Sequence, residues 1–188
     1  PFYLFQVYKG GLSFHGGILG AMVAAYVMSR QKNIPYWNLT DQMVICTPIG
    51  LGMGRIGNFI NGELYGRVTT VPWGIIFKHG GTVPRHPSQI YEFLLEGPIL
   101  FSILYFGRNV FKKDGQLSLI FVLGYCFARF TAEFFREPDA HLGYLTFSLS
   151  MGQILSVLMA AVGLGVAFYV KRQPAPGIVS GKKSKKRR

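Results

Sequence analysis

Acidic residues are scarce in this chain. Asp and Glu number 8 among 188 residues, against 20 Lys and Arg, and charged residues together make up only 15%. Soluble domains carry roughly 25% charged residues. The hydrophobic share of 49% and the positive mean hydropathy of +0.28 favour an integral membrane protein. Cysteine is also rare. Cys46 and Cys126 both fall inside apolar runs, which argues against a disulfide framework or a metal site and makes both small core residues. There is no Walker loop, no HExxH zinc motif and no GxSxG elbow. Nowhere are two histidines one helical turn apart, and neither Ser13 nor Ser88 has a convincing local triad. No metal is therefore expected. No internal repeat is evident. Pro1 opens the chain without a methionine or a charged leader region, so no signal peptide is read and a preceding N-terminal portion is expected.

The net charge of +12 is misleading. The tail Lys182 to Arg188, KKSKKRR, supplies six of those charges and leaves +6 for the rest. A basic excess can signal nucleic acid. Here the cations sit mostly at the ends of apolar runs, which is the pattern of membrane topology, and no nucleic acid partner is expected.

Five apolar runs follow one another. Pro1 to Gly11 is aromatic and interfacial in character. Leu12 to Ser29 is interrupted only by His15 and ends at Arg30 and Lys32. The second run, about Leu39 to Phe59, contains Pro48 and glycines at 50, 52, 54 and 57, so an irregular helix is expected, with Asp41 as its first-turn acid or cap. Asn61 to Ser88 is polar; alternation over Val71 to Phe77 admits a short strand or hairpin. The third run, Gln89 to Gly107, carries Glu92 and Glu96 on one face. Ser88 is placed to cap it. The fourth is Gln116 to Phe135 and the fifth Phe147 to Val170. Three basic clusters, at Arg30/Lys32, Arg108 to Lys113 and Lys171/Arg172, agree on one orientation by the positive-inside rule. The expectation is an all-α polytopic membrane protein with about five transmembrane helices, one of them irregular. Residues 1–172 form the membrane domain, with 60–88 as a small outward-facing loop subdomain. Residues 173–188 are a basic cytoplasmic tail, expected to be disordered and able to lie on anionic headgroups.

Chemistry-bearing residues gather toward the outward side. The stretch GRIGNFINGELYGR, Gly54 to Arg67, packs Arg55, Asn58, Asn61, Glu63 and Arg67 among glycines beside a long apolar run. Polar groups at membrane depth are costly unless paired and are usually there for a function. The alternative is a Gly-rich turn whose Arg and Glu reach the interface and pair. Tyr125, Arg129 and Glu133 recur every four residues and share one helix face. They make either a helix-docking ion pair or a phosphate grip, with Arg136 following at the outward end. His15 precedes Gly16 and Gly17, which leave room beside an imidazole suited to proton transfer near neutral pH. Arg85 and His86 serve as surface charges or line the mouth of the site. A transporter would spread its charges through the membrane depth. A lipid-binding scaffold would share the phosphate grip without turnover.

These residues carry a resemblance. GRIGNFINGELYGR resembles the signature of the bacterial prolipoprotein diacylglyceryl transferases. HGGILG at 15–20, RHPSQIYE at 85–92, YCFARFTAEFFREPD at 125–139 and SMGQILS at 150–156 are similar to that family's other motifs in the same order. The resemblance runs from about Pro1 to Val170, without the N-terminal spans typical of the family. It implies transfer of a diacylglyceryl group from phosphatidylglycerol to the lipobox cysteine thiol of a prolipoprotein. A thioether forms and glycerol 1-phosphate leaves, with no cofactor. It places the protein in the bacterial inner membrane, multi-pass, with the site toward the outer leaflet and the C-terminus cytoplasmic. His15, Arg55, Arg129, Glu133 and Tyr125 become the candidate catalytic residues. Arg55, Asn58, Asn61, Glu63, Gly66, Arg67 and Arg136 become candidates for substrate binding, with Glu63 and Arg67 expected to form an ion pair.

Overall fold

In the computed structural model, residues 14–137 and 150–172 are described. They form helices joined by loops, with no regular strand among them. Helix α1 is Phe14–Lys32, α2 is Tyr36–Asn61 and α3 is Ser88–Leu94. A π-helical turn, Leu95–Ile99, runs from α3 into α4, Leu100–Gly107. Helix α5 is Gln116–Ala132 and α6 is Met151–Arg172. The aromatic segment before α1, residues 138–149 and the basic tail lie outside the described residues.

By length and composition, three helical rods can cross a membrane: Tyr36–Asn61, Ser88–Gly107 and Met151–Tyr169. Helix α5 is apolar but shorter. The exterior is apolar, with Phe106, Phe127 and Met53 exposed, while Gln89, Glu92, Glu96 and Gln153 are buried. A water-soluble protein distributes these residue types the other way. Helices suit such a setting because they satisfy their backbone groups internally. Cys126 is buried as expected, whereas Cys46 is exposed on the apolar exterior.

The break in regularity falls in a different rod from the one expected. Helix α2 runs unbroken for 26 residues through buried Pro48. The widened turn sits instead around Pro98, a residue that has no N–H to give to an α-helical ladder. This turn crosses α2 closely. A Cβ on Gly52 would lie 3.3 Å from the Gly97 Cα and 3.2 Å from the Phe93 ring. A side chain there would push its neighbours back by a few tenths of an ångström, so the glycine pair favours this close approach, which sets the next turn of α2 against Glu92 and Glu96.

Asp41 also differs from expectation. It lies within α2 and caps another helix. Its carboxylate accepts from Gly115 N at 2.8 Å, Ser118 N at 2.7 Å and Ser118 Oγ at 2.6 Å. The orphan donors at the start of α5 are thus met by a buried acid. Between those helices lies a small apolar cluster of Leu100, Leu104 and Leu117 with Val44, Ile45, Ile120, Phe121 and Tyr125. Helix α6 packs along α5.

The segment between α2 and α3 has bridges in place of the admitted strand or hairpin. Gly66 pairs with Arg136, and Val68 and Ile75 pair with Arg85. Side chains stitch it. Arg85 donates to Gly80 O and Gly66 O, pairs with Glu137, and lies 4.9 Å from the Tyr65 ring centroid. Ser88 does not cap α3. Its hydroxyl donates to Leu64 O, and Gln89 Nε2 donates to Glu63 O at 2.7 Å, which locks the start of α3 to the end of α2.

Candidate functional site

One turn beyond the Gly52–Gly97 crossing, Arg55 meets two carboxylates. Its Nη1 lies 2.8 Å from Glu92 Oε2. Its Nε donates to Glu96 Oε2 at 2.9 Å, and Nη2 reaches Glu96 Oε1 at 3.4 Å. Glu92 and Glu96 are four residues apart, so both point toward α2 across the start of the π-helical turn.

Helix α5 brings the second guanidinium to the same acid. Arg129 Nη1 donates to Glu92 Oε1 at 2.7 Å, and Nη2 lies 3.0 Å from Glu133 Oε2. The Arg129–Glu133 contact is a charge pair without hydrogen-bond alignment, since Glu133 Oε2 has no hydrogen-bond partner among the described residues. Arg136 Nη1 adds a longer contact of 3.8 Å to Glu92 Oε1. One carboxylate, Glu92, therefore sits between Arg55 and Arg129, with Arg136 at its edge.

Helix α6 supplies the support behind Glu133. Ser150 N donates to Gln153 Oε1, and Gln153 N donates back to Ser150 Oγ, a reciprocal capping box. The same Ser150 hydroxyl donates to Glu133 Oε1 at 3.0 Å. A Cβ on Gly152 would stand 2.8 Å from the Glu133 carboxyl carbon, so any larger residue there must displace that carboxylate.

Burial divides the network by sign. The side chains of Glu92, Glu96 and Glu133 are 1%, 0% and 8% exposed, whereas those of Arg55, Arg129 and Arg136 are 17%, 16% and 11% exposed. Three acids and three arginines balance in formal charge. Buried charges left unpaired would be prohibitively costly. Each guanidinium has five N–H donors, and the acids occupy only part of the sets on Arg55 and Arg129. Fixed, partly open guanidinium groups can receive an anion without reorganising.

The other expected site residues take separate places around this network. Tyr125 lies one turn before Arg129 on α5, stacked on Phe121 and packed against the Leu100–Leu104–Leu117 cluster. Asn58 and Asn61 both donate to Glu63 Oε1, at 2.9 and 3.4 Å, and form a polar cluster at the end of α2. Arg67 does not pair with Glu63. Its Nε donates to Arg136 O at 2.8 Å and its backbone N to Phe135 O. Arg67 thereby ties the Gly-rich stretch to the end of α5. Gly66 gives its N–H to His86 O, and a Cβ there would run into the Phe135 and His86 carbonyl oxygens. His15 belongs to the first turn of α1 by its backbone, and its side chain lies outside the described residues. Arg85 and His86 act in the loop. His86 Nδ1 meets Tyr91 Oη, which also accepts from Trp73 Nε1.

Glu92 and Glu96 are the members of this network that sequence reasoning did not place in the candidate site. Their shared face was legible, and two acids in an apolar run required cationic partners. Arg55 and Arg129 were the cations available. The Ser150–Gln153 box was equally readable as an S-x-x-Q pattern.

The family model described as prolipoprotein diacylglyceryl transferase matches residues 1–169. The chain is similar to proteins named phosphatidylglycerol–prolipoprotein diacylglyceryl transferase. With the one from Geobacter sulfurreducens it shares 54% identity over 92% of the chain and 66% of that relative. With the one from Idiomarina loihiensis the identity is 49% over 94% of the chain and 66% of the relative. With that of Coxiella burnetii it is 51% over 87% of the chain and 63% of the relative. The chain thus spans just under two thirds of the length of the curated relatives it matches.

Proposed function

The chain belongs to the prolipoprotein diacylglyceryl transferase family, and on that premise we propose that it transfers a diacylglyceryl group from phosphatidylglycerol to a prolipoprotein thiol. The observation that carries this reading is the single carboxylate, Glu92, held between Arg55 and Arg129 at 2.8 and 2.7 Å. It fixes two guanidinium groups side by side for one phosphodiester.

In this mechanism the cysteine thiol loses its proton, because the thiolate is the nucleophile. Sulfur attacks the glyceryl carbon that bears the phosphate. The S–C bond forms as the C–O bond breaks, and its electron pair leaves on glycerol 1-phosphate. Arg55 and Arg129, with Arg136 beside them, hold the phosphate as its charge grows. A donor of this kind contributes about 3–4 kcal/mol to the transition state. Glu133 orients Arg129, and Tyr125, one turn earlier on the same face, adds a hydrogen bond once substrate is bound. Asn58, Asn61, Glu63, Gly66 and Arg67 shape the headgroup side. His15 takes the thiol proton. The site faces the outer leaflet of the bacterial inner membrane, and the C-terminus is cytoplasmic, in keeping with the basic clusters at the opposite ends of the runs.

The test uses the chain in bilayers of phosphatidylglycerol with a lipobox peptide, reading glycerol phosphate release and peptide mass. Release together with the diacylglyceryl mass gain is expected, and Arg129→Ala should lower the rate at least 100-fold. Lipid binding without release would mean a scaffold and not an enzyme. Near-normal turnover in Arg129→Ala would remove its central role. Full activity in His15→Gln would remove only the general base.

A further inference from the structure

A second polar feature lies at the far end of the bundle. A cleft of about 360 Å³ opens where the start of α2 meets the connection from α4 to α5. Asp41, on its wall, is 14 residues before Arg55 on the same helix, so the two ends are separated by about 21 Å of helix rise. Three cations line it, Arg108, Lys112 and Lys113. Two acids are present, and both are engaged. Asp41 is buried and spends its carboxylate on the N–H groups of Gly115 and Ser118 and on the Ser118 hydroxyl. Asp114 accepts from Asn38 Nδ2 at 3.2 Å. The rim is left with positive charge. Phe111 and Leu117 give the cleft apolar walls. Beside it, Phe106 and Val110 are 70% and 73% exposed, and Ile103 on the same rod is 49% exposed. The Arg108 guanidinium is fixed 3.8 Å over the Tyr105 ring.

A phosphate would meet the cations here while attached apolar chains ran along α4. We propose that this cleft is a binding site for the phosphate of an anionic phospholipid, in the leaflet opposite to the arginine–glutamate network. Basic pockets between membrane helices suit such headgroups. The exposed apolar residues neighbouring these cations along the chain favour a lipid-borne phosphate over a free one. The site takes no part in the proposed transfer.

The test places the chain in phosphatidylcholine nanodiscs with a trace of photoactivatable phosphatidic acid and maps the labelled peptides by mass spectrometry. Labelling is expected within residues 103–117, with competition by unlabelled phosphatidic acid and none by equal inorganic phosphate. Removing one cation near the surface weakens such binding about fivefold, so Arg108→Gln/Lys112→Gln/Lys113→Gln should lose roughly 100-fold. Gln42→Glu adds an acid to the same wall and should lose about fivefold even if the triple variant folds poorly. Unchanged labelling in Gln42→Glu or in a folded triple variant overturns the proposal. Equal competition by inorganic phosphate overturns its lipid part and leaves a free-phosphate site. Because no transfer is assayed, the outcome does not depend on the enzymatic reading.

Discussion

Replacing Glu92 with Gln should damage the site more than any other change of a single carboxylate. Glu92 is 1% exposed and receives Arg55 and Arg129 on separate oxygens. An amide of the same shape keeps one acceptor and turns a donor toward the other guanidinium. Breaking a buried ion pair from one side costs roughly 3–5 kcal/mol. The guanidinium groups here are 17% and 16% exposed, so water recovers part of that and about 3 kcal/mol is the better estimate. If the loss falls on the transition state, it amounts to about 150-fold in rate. Glu96→Gln is the control. Glu96 contacts Arg55, which still keeps Glu92, and about tenfold is expected. The assay is glycerol phosphate release in phosphatidylglycerol bilayers, alongside melting in detergent to separate misfolding from misorientation. A cycle adding Arg129→Gln should show that the two changes are not additive. Equal losses for Glu92→Gln and Glu96→Gln, or additive behaviour in the cycle, would refute the shared-carboxylate argument.

The remaining expectations test the supports. Gly152→Ala puts a methyl against the Glu133 carboxylate and should cost about 1–3 kcal/mol, read as a lower melting temperature with a fall in turnover. Asp41→Asn weakens the cap of α5, far from the arginines. It should cost about 1 kcal/mol and lower the melting temperature while leaving turnover near normal. Arg129→Lys keeps the charge but cannot span Glu92 and Glu133 with separate nitrogens. Its rate should stay within about tenfold of Arg129→Ala, and a near-wild-type rate would mean that charge alone suffices.

Much of this was readable in the sequence wherever a signal was local. The apolar runs became helices, and the four-residue spacing of Tyr125, Arg129 and Glu133 became one face with an Arg129–Glu133 contact. What failed depended on distant partners. Asp41 sits near the start of its run, yet its donors lie 74 and 77 residues away. Ser88 has the chemistry of a cap, but Leu64 O claims its hydroxyl. Glu63 and Arg67 have the spacing of a pair, but Asn58 and Asn61 reach one and the Arg136 carbonyl holds the other. The loop between α2 and α3 follows no period because individual side chains such as Arg85 hold it. Pro48 marked a plausible break in α2. The widened turn formed at Pro98, where Glu96 and Gly97 are buried against α2.

The balance of three acids and three arginines raises a last question, since a neutral network need not attract an anion. Its layering supplies the answer. The acids are the more deeply buried members and the guanidinium groups the more exposed. Take a phosphate charge about 4 Å from a guanidinium and about 7 Å from the acid behind it. At an effective dielectric of about 20, the attraction is roughly 4 kcal/mol and the repulsion roughly 2.4. Each Arg–Glu unit then leaves a net attraction of about 1–2 kcal/mol, and two units act on one ligand. The same acids hold the guanidinium groups in place, so their cost in attraction is offset by geometry fixed before binding. Purely structural ion pairs require no such order of burial. A network with its arginines innermost would repel phosphate at the surface while being equally neutral.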